Sequence, residues 1–141
     1  MIIFKCLVEV NKHGVLKNSK RILKKWSSEQ RFIGKSENAE YAQKYLNAVL
    51  MREKLKSRVD TIDFDVNVKF VFHYPTSVYF TKAGKRSNKV GDLSNLYELP
   101  QDCLQKVGIL ANDSLIVSHD GSRRAPIEGV KYMLEIEISR T

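Results

Sequence analysis

Residues 62 to 74 alternate without a break. Ile62, Phe64, Val66, Val68, Phe70, Phe72 and Tyr74 fall on one face, and Asp63, Asp65, Asn67, Lys69, Val71 and His73 fall on the other. This period of two is the mark of an extended strand with one buried face, and it is the strongest strand signal in the chain. Residues 2 to 10 repeat the pattern, with Ile2, Phe4, Cys6, Val8 and Val10 opposite Ile3, Lys5, Leu7 and Glu9, a second face that is itself partly apolar. Tyr132, Leu134, Ile136 and Ile138, alternating with Lys131, Met133, Glu135 and Glu137, give a closing strand, and Leu115-Ile116-Val117 gives a short one. Two stretches change period. Ser36 and Glu37 open a helix whose stripe is Ala42, Tyr45, Leu46, Val49 and Leu50, running to about Lys56. Leu96, Leu99, Cys103 or Leu104 and Val107 mark a second, with Gly108 where a helix C-terminus favours a left-handed residue. The order β, loop, α, β, α, β, β predicts an α/β (α+β) fold, a single domain over residues 1–141 with a mixed β-sheet and two main helices.

Charge narrows the partner. The 141 residues carry a formal net charge of +8, with 28% charged beside 43% hydrophobic residues, so the excess belongs to a folded body and not to a disordered tail. A polyanion is the expected partner, nucleic acid being the commonest; an anionic membrane surface or plain solubility is the alternative. Cys6 and Cys103 sit in apolar patterns without metal spacing and read as buried free thiols. No run approaches 18 apolar residues and the N-terminus enters a strand directly, so the expectation is a soluble, intracellular, cytoplasmic protein.

The cations gather in three places. Residues 11 to 35 hold Lys12, Lys17, Lys20, Arg21, Lys24, Lys25, Arg31 and Lys35 against the single acid Glu29, with Trp26 and Phe32 interleaved. Such a loop can grip phosphates and stack on bases, or it can be a solvated loop whose Trp26 plugs the core. Residues 76 to 91 hold Lys82, Lys85, Arg86 and Lys89 and no acid, which reads as a mobile basic loop delivered onto Asp92, or as a hairpin tip with solubilising lysines. Arg123 and Arg124 add two more in a turn after Asp120-Gly121.

Polar groups flank the second helix. Asp92, Ser94 and Asn95 precede or open it and Asn112-Asp113 follow it, and a chain that doubles back as a strand can bring those ends together. Clustered oxygen ligands are what a hard divalent cation takes. A carboxylate beside a basic loop is the combination that phosphodiester chemistry uses. Asp63 and Asp65, two apart on one strand face, could chelate as well, or simply face solvent at an edge. His13, His73 and His119 stand alone, without zinc spacing.

The run Asp92-Leu93-Ser94-Asn95-Leu96 resembles the signature of the RusA family of Holliday junction resolvases. That signature is a basic run, Asp-Leu-Asp-Asn-Leu, a helix ending in Ala-Gly or similar, and Asp-Asp after a few apolar residues. Gly108-Ile109-Leu110-Ala111-Asn112-Asp113 stands at the matching distance, and the two patterns lie together without a gap from Asp92 through Ile116. The resemblance implies a magnesium- or manganese-dependent endonuclease, a homodimer, bacterial or phage-encoded, that cuts four-way DNA junctions in recombination and repair. It assigns Asp92 and Asp113 as metal ligands and catalytic acids, with Asn112 and Glu98 as further candidates. Lys82, Lys85, Arg86, Lys89, Arg123, Arg124, Lys24 and Lys25 are the expected DNA contacts. Three positions depart from the family: Ser94 and Asn112 stand where it has aspartates, and Glu98 where it has a lysine. If residues 94 to 98 are helical, Glu98 lies one turn from Ser94 and returns a carboxylate to that face. Pro100 would make the helix start late or kink. The same departures suit a second expectation, a RusA-like DNA-binding protein that no longer cuts.

Overall fold

The computed structural model describes residues 1–10, 20–24, 31–35, 37–87 and 93–141, with side chains described for residues 1–10, 40–87 and 93–141. The strands are β1 (Ile2–Glu9), β2 (Lys20–Lys24), β3 (Arg31–Lys35), β4 (Val66–Pro75), β5 (Ile116–Ser118), β6 (Arg123–Ile127) and β7 (Met133–Arg140). The helices are α1 (Glu37–Ser57), α2 (Thr76–Tyr79) and α3 (Glu98–Lys106), with 3-10 turns at Leu93–Leu96 and Asp113–Leu115. A mixed sheet of five strands carries the fold, as the sequence predicts.

β4 is its axis. Along one edge β4 pairs antiparallel with β7 (Phe70↔Ile136, Phe72↔Leu134), and β7 pairs antiparallel with β1 (Cys6↔Ile136, Val8↔Leu134). Along the other edge β5 and β6 follow one another, both parallel to β4 (Val66↔Ile116; Phe72↔Arg124). Between β5 and β6 the chain bulges, and side chains replace the missing ladder bonds. The His119 Nδ1 lies 2.8 Å from the Val68 carbonyl, the Phe70 N–H donates to Ser122 Oγ at 3.0 Å, and Asn67 Oδ1 accepts from the Asp120 N–H at 2.7 Å. The Val68 carbonyl and the Phe70 N–H of the central strand are thereby satisfied although no strand lies beside them, and the third bond satisfies the Asp120 N–H of the bulge itself. Gly121 makes the bulge possible, because at φ +87 a Cβ would stand 2.8 Å from Lys69 Cδ.

The apolar alternation is buried where it was expected except at the first residue of β1, Ile2, which is exposed. Phe4, Cys6, Val8 and Val10 of the first strand region, Val66, Val68, Phe70, Phe72 and Tyr74 of the centre, and Leu134, Ile136 and Ile138 of β7 form one core with Ala42, Leu46, Val49 and Leu50 of α1 and Leu99, Cys103 and Leu104 of α3. The two helices pack on each other and are tied at their ends. Lys54 of α1 donates through Nζ to the carbonyl of Val107 at 3.2 Å, and Thr61 Oγ1 donates to the carbonyl of Gly108 at 2.8 Å. Both bonds satisfy carbonyls that the end of α3 leaves unpaired. Gly108 is left-handed at φ +78, as its place in the sequence predicts, and a Cβ there would sit 3.1 Å from Lys54 Nζ. The opposite sheet face holds a ladder of charge, in which Lys69 meets Glu137 at 2.9 Å and Lys5 meets Glu135 at 3.9 Å.

Five expectations are corrected. The central strand begins at Val66, four residues after the start of its pattern, because Ile62 makes an isolated parallel bridge to Leu110 instead. The basic stretch 11 to 35 is not all loop, since β2 and β3 form an antiparallel pair within it (Ile22↔Ile33). For residues 76 to 87 the loose-loop reading gives way to its hairpin alternative, a closed hairpin that follows α2. Arg123 and Arg124 open β6 and are not turn residues, because pairing with β4 supplies an order that their own composition does not. Tyr45 is 38% exposed, outside the buried stripe of α1.

Candidate functional site

Leu93 and Leu96 anchor the first end of the site. Leu96 is buried and Leu93 packs against the core, so the 3-10 turn between them presents Ser94 and Asn95 to solvent. α3 then starts at Glu98, and this late start resolves the conflict over Pro100. As the third helical residue, in the first turn, Pro100 gives up no intrahelical bond, and it is buried against the core. Glu98 is exposed as the first residue of α3, and Ser94 belongs to the preceding turn, so the two do not share one regular helix.

The second end is built by a cap. Asn112 Oδ1 accepts from the Ser114 N–H at 2.8 Å and so starts the Asp113–Leu115 turn, while the Asp113 N–H donates to Gln105 Oε1 at 3.0 Å. Asn112 and Asp113 are both exposed. They therefore stand against the last turn of α3, while Glu98 opens its first turn, about 10 Å away along the axis at 1.5 Å per residue. The chain does double back along α3. Among the described residues, what it delivers to the first half of that helix is His119: its Nε2 lies 3.0 Å from Gln101 Oε1, and its ring stacks on Tyr97 with centroids 4.2 Å apart. Sequence reasoning left His119 alone. Tyr97, the N-cap of α3, and Gln101, four residues on, are the signal that could have found it.

The remaining acids fall as follows. The bridge between Ile62 and Leu110, with the Ala111 N–H donating to the Ile62 carbonyl at 2.9 Å, carries the chain at Asp63 alongside the approach to Asn112. Asp63 and Asp65 are exposed. Among the described residues no three histidines, cysteines or acids are grouped to hold a metal ion. Asp92 lies outside the described residues. The donor set that the sequence names consists of carboxylate and amide oxygens, which fit a hard divalent cation in chemistry.

The described basic side chains lie on two elements that flank the end of β4, the hairpin after α2 and β6. α2 packs on β4 and β6, and the chain then closes a hairpin: the Thr81 N–H donates to the Lys85 carbonyl at 2.6 Å, the Ser87 N–H to the Tyr79 carbonyl at 2.8 Å, and Phe80 bridges Arg86. Lys82, Lys85 and Arg86 are exposed on it. Tyr74 links this hairpin to β6. Its ring lies 6.2 Å from that of Tyr79, and burial pushes its phenol up to about 12 against the opposing pull of Arg124. Arg123 is exposed and Arg124 half-buried. Lys25 and Lys89 lie outside the described residues, and for Lys24 only the backbone, in β2, is described.

The model of the family described as Endodeoxyribonuclease RusA matches residues 16–139. No curated protein matches the chain. No helix among the described residues is long and apolar enough to cross a membrane.

Proposed function

This chain belongs to the RusA family of endodeoxyribonucleases, and from that premise we propose that it resolves four-way DNA junctions by divalent-metal-dependent hydrolysis of a phosphodiester. The observation that carries the reading is the family match across residues 16–139, which spans both acidic ends and the basic hairpin between β4 and the 3-10 turn. Magnesium or manganese is the expected cation. When bound, it supplies charge neutralisation at the phosphate and activates water.

The chain's own residues divide the remaining work. Asp92 and Asp113 provide carboxylate oxygens to the cation. Asn112 adds a neutral oxygen, already committed on one side to the Ser114 N–H, and Glu98 adds an exposed carboxylate at the opening of α3. Lys82, Lys85 and Arg86 on the hairpin, Lys89 after it, Arg123 and Arg124 on β6, and Lys24 and Lys25 provide cations for backbone phosphates. Phosphate contacts of this kind orient a duplex without reading its sequence. Two acidic sites, one per strand to be cut, would come from a homodimer, placing the activity in recombination and repair inside the cell.

A labelled four-way junction with magnesium or manganese tests this. Wild type should nick symmetrically, and Asp92→Asn or Asp113→Asn should abolish cleavage while leaving junction binding nearly intact. Loss of binding together with cleavage would remove the assigned role. A second reading keeps the same DNA partner without hydrolysis. It draws on Ser94, Asn112 and Glu98, which replace two acids and a lysine of the family, and on the use of the Asn112 oxygen as a cap. Tight junction binding with no cut in either metal would select it.

A further inference from the structure

Beside the basic hairpin lies a cavity of about 290 Å³, lined by Ser77, Val78, Phe80, Thr81, Lys82 and Ser87. Its volume is at the small end of ligand sites, suited to one flat heterocycle. Phe80 is its aromatic wall, 38% exposed. The ring is held and not loose: it meets Tyr79 edge-on, centroids 4.9 Å apart at 78°, the Phe80 N–H donates to the Thr76 carbonyl at 3.0 Å, and its backbone bridges Arg86. The hairpin beyond is equally fixed. The Lys85 N–H donates to Thr81 Oγ1 at 3.2 Å, and Gly84 turns the tip at φ +79.

The geometry points to a subsite for one unpaired DNA base, stacked on Phe80 with its edge toward Ser77 and Thr81 and its phosphates on Lys82, Lys85 and Arg86. Three properties select that ligand. A preset aromatic surface stacks on any base, because every base has a π-face. Exposed cations on the same hairpin take the backbone of a polyanion and not a neutral ring. A base inside a duplex cannot enter, whereas one at a branch point is already partly unstacked and costs least to extract. This inference rests on the junction-nuclease reading and adds to it a means of choosing the branch point over plain duplex.

The test uses a four-way junction with 2-aminopurine at the branch point and a linear duplex of the same sequence, with wild type, Phe80→Ala and Phe80→Trp. Wild type should raise the 2-aminopurine emission on the junction as the base leaves its neighbours. Phe80→Ala should lose that rise and about tenfold in junction affinity, with duplex affinity held, and Phe80→Trp should keep both. Circular dichroism of each variant checks the fold. Unchanged junction affinity and emission in folded Phe80→Ala overturns the subsite, and so does an equal loss on junction and duplex. If wild type itself shows no preference for the junction, the nuclease reading falls with it. Intact wild-type preference without dependence on Phe80 removes the subsite alone.

Discussion

Arg58 follows α1 with φ +54, a left-handed conformation that costs any residue with a Cβ. Gly108 does the same task at the end of α3 at no such cost. Arg58→Gly should therefore raise stability by about 1 kcal/mol, read as a higher urea midpoint at unchanged slope. An unchanged or lower midpoint would mean that the Arg58 side chain contributes more than the strain removes. The Gly108 position was legible in the sequence, because a glycine after an apolar helical stripe has one common meaning. The left-handed Arg58 was not, since nothing in an arginine announces its backbone angle.

Elements were legible in proportion to how strongly one face is buried. β4, β1 and β7 were read from alternation, and the faces were assigned as they stand: Phe70 and Phe72 inside, Lys69 toward the charged ladder. β6 was missed because Arg123-Arg124-Ala125-Pro126-Ile127 has no alternation to read; it is an edge strand made by its register with β4. The β2 and β3 pair was hidden by its lysines and arginines. The ladder also carries a pH dependence. The hydrogen bond from Lys69 holds the Glu137 carboxyl below its ordinary range, with burial opposing. A depressed carboxyl stabilises the fold above its unfolded pKa of about 4.3 and loses that contribution as pH falls through the lower folded value. Glu137→Gln should accordingly cost up to about 1 kcal/mol at pH 7 and much less near pH 3, measured by urea midpoints at both. A gap that stays constant with pH would exclude the ion pair as its source.

At the scale of the whole molecule, the +8 net charge sets how the protein meets DNA. Each phosphate contact removed should lower the salt slope of log K by about 0.9, so Lys85→Ala with Arg86→Ala should lower it by about 2 for duplex and junction alike. Fluorescence anisotropy between low and moderate salt checks this, and an unchanged slope would take the hairpin off the phosphate path. Within the candidate site, the acids Asp92 and Asp113 and the departures at Ser94, Glu98 and Asn112 were legible as a pattern. Their arrangement was not: Asp113 stands at Gln105 in the last turn of α3, and His119 takes the place against Tyr97 and Gln101. The sequence by itself determined most of the buried apolar positions, Tyr45 and Ile2 excepted, and where helices end, because periodicity and a glycine's φ are local properties. Only the tertiary structure decided which strand β4 accepts on its second edge and which polar group meets which end of α3. Those are contacts between residues far apart in the chain, fixed by backbone hydrogen-bond satisfaction and core packing, and no local pattern encodes them.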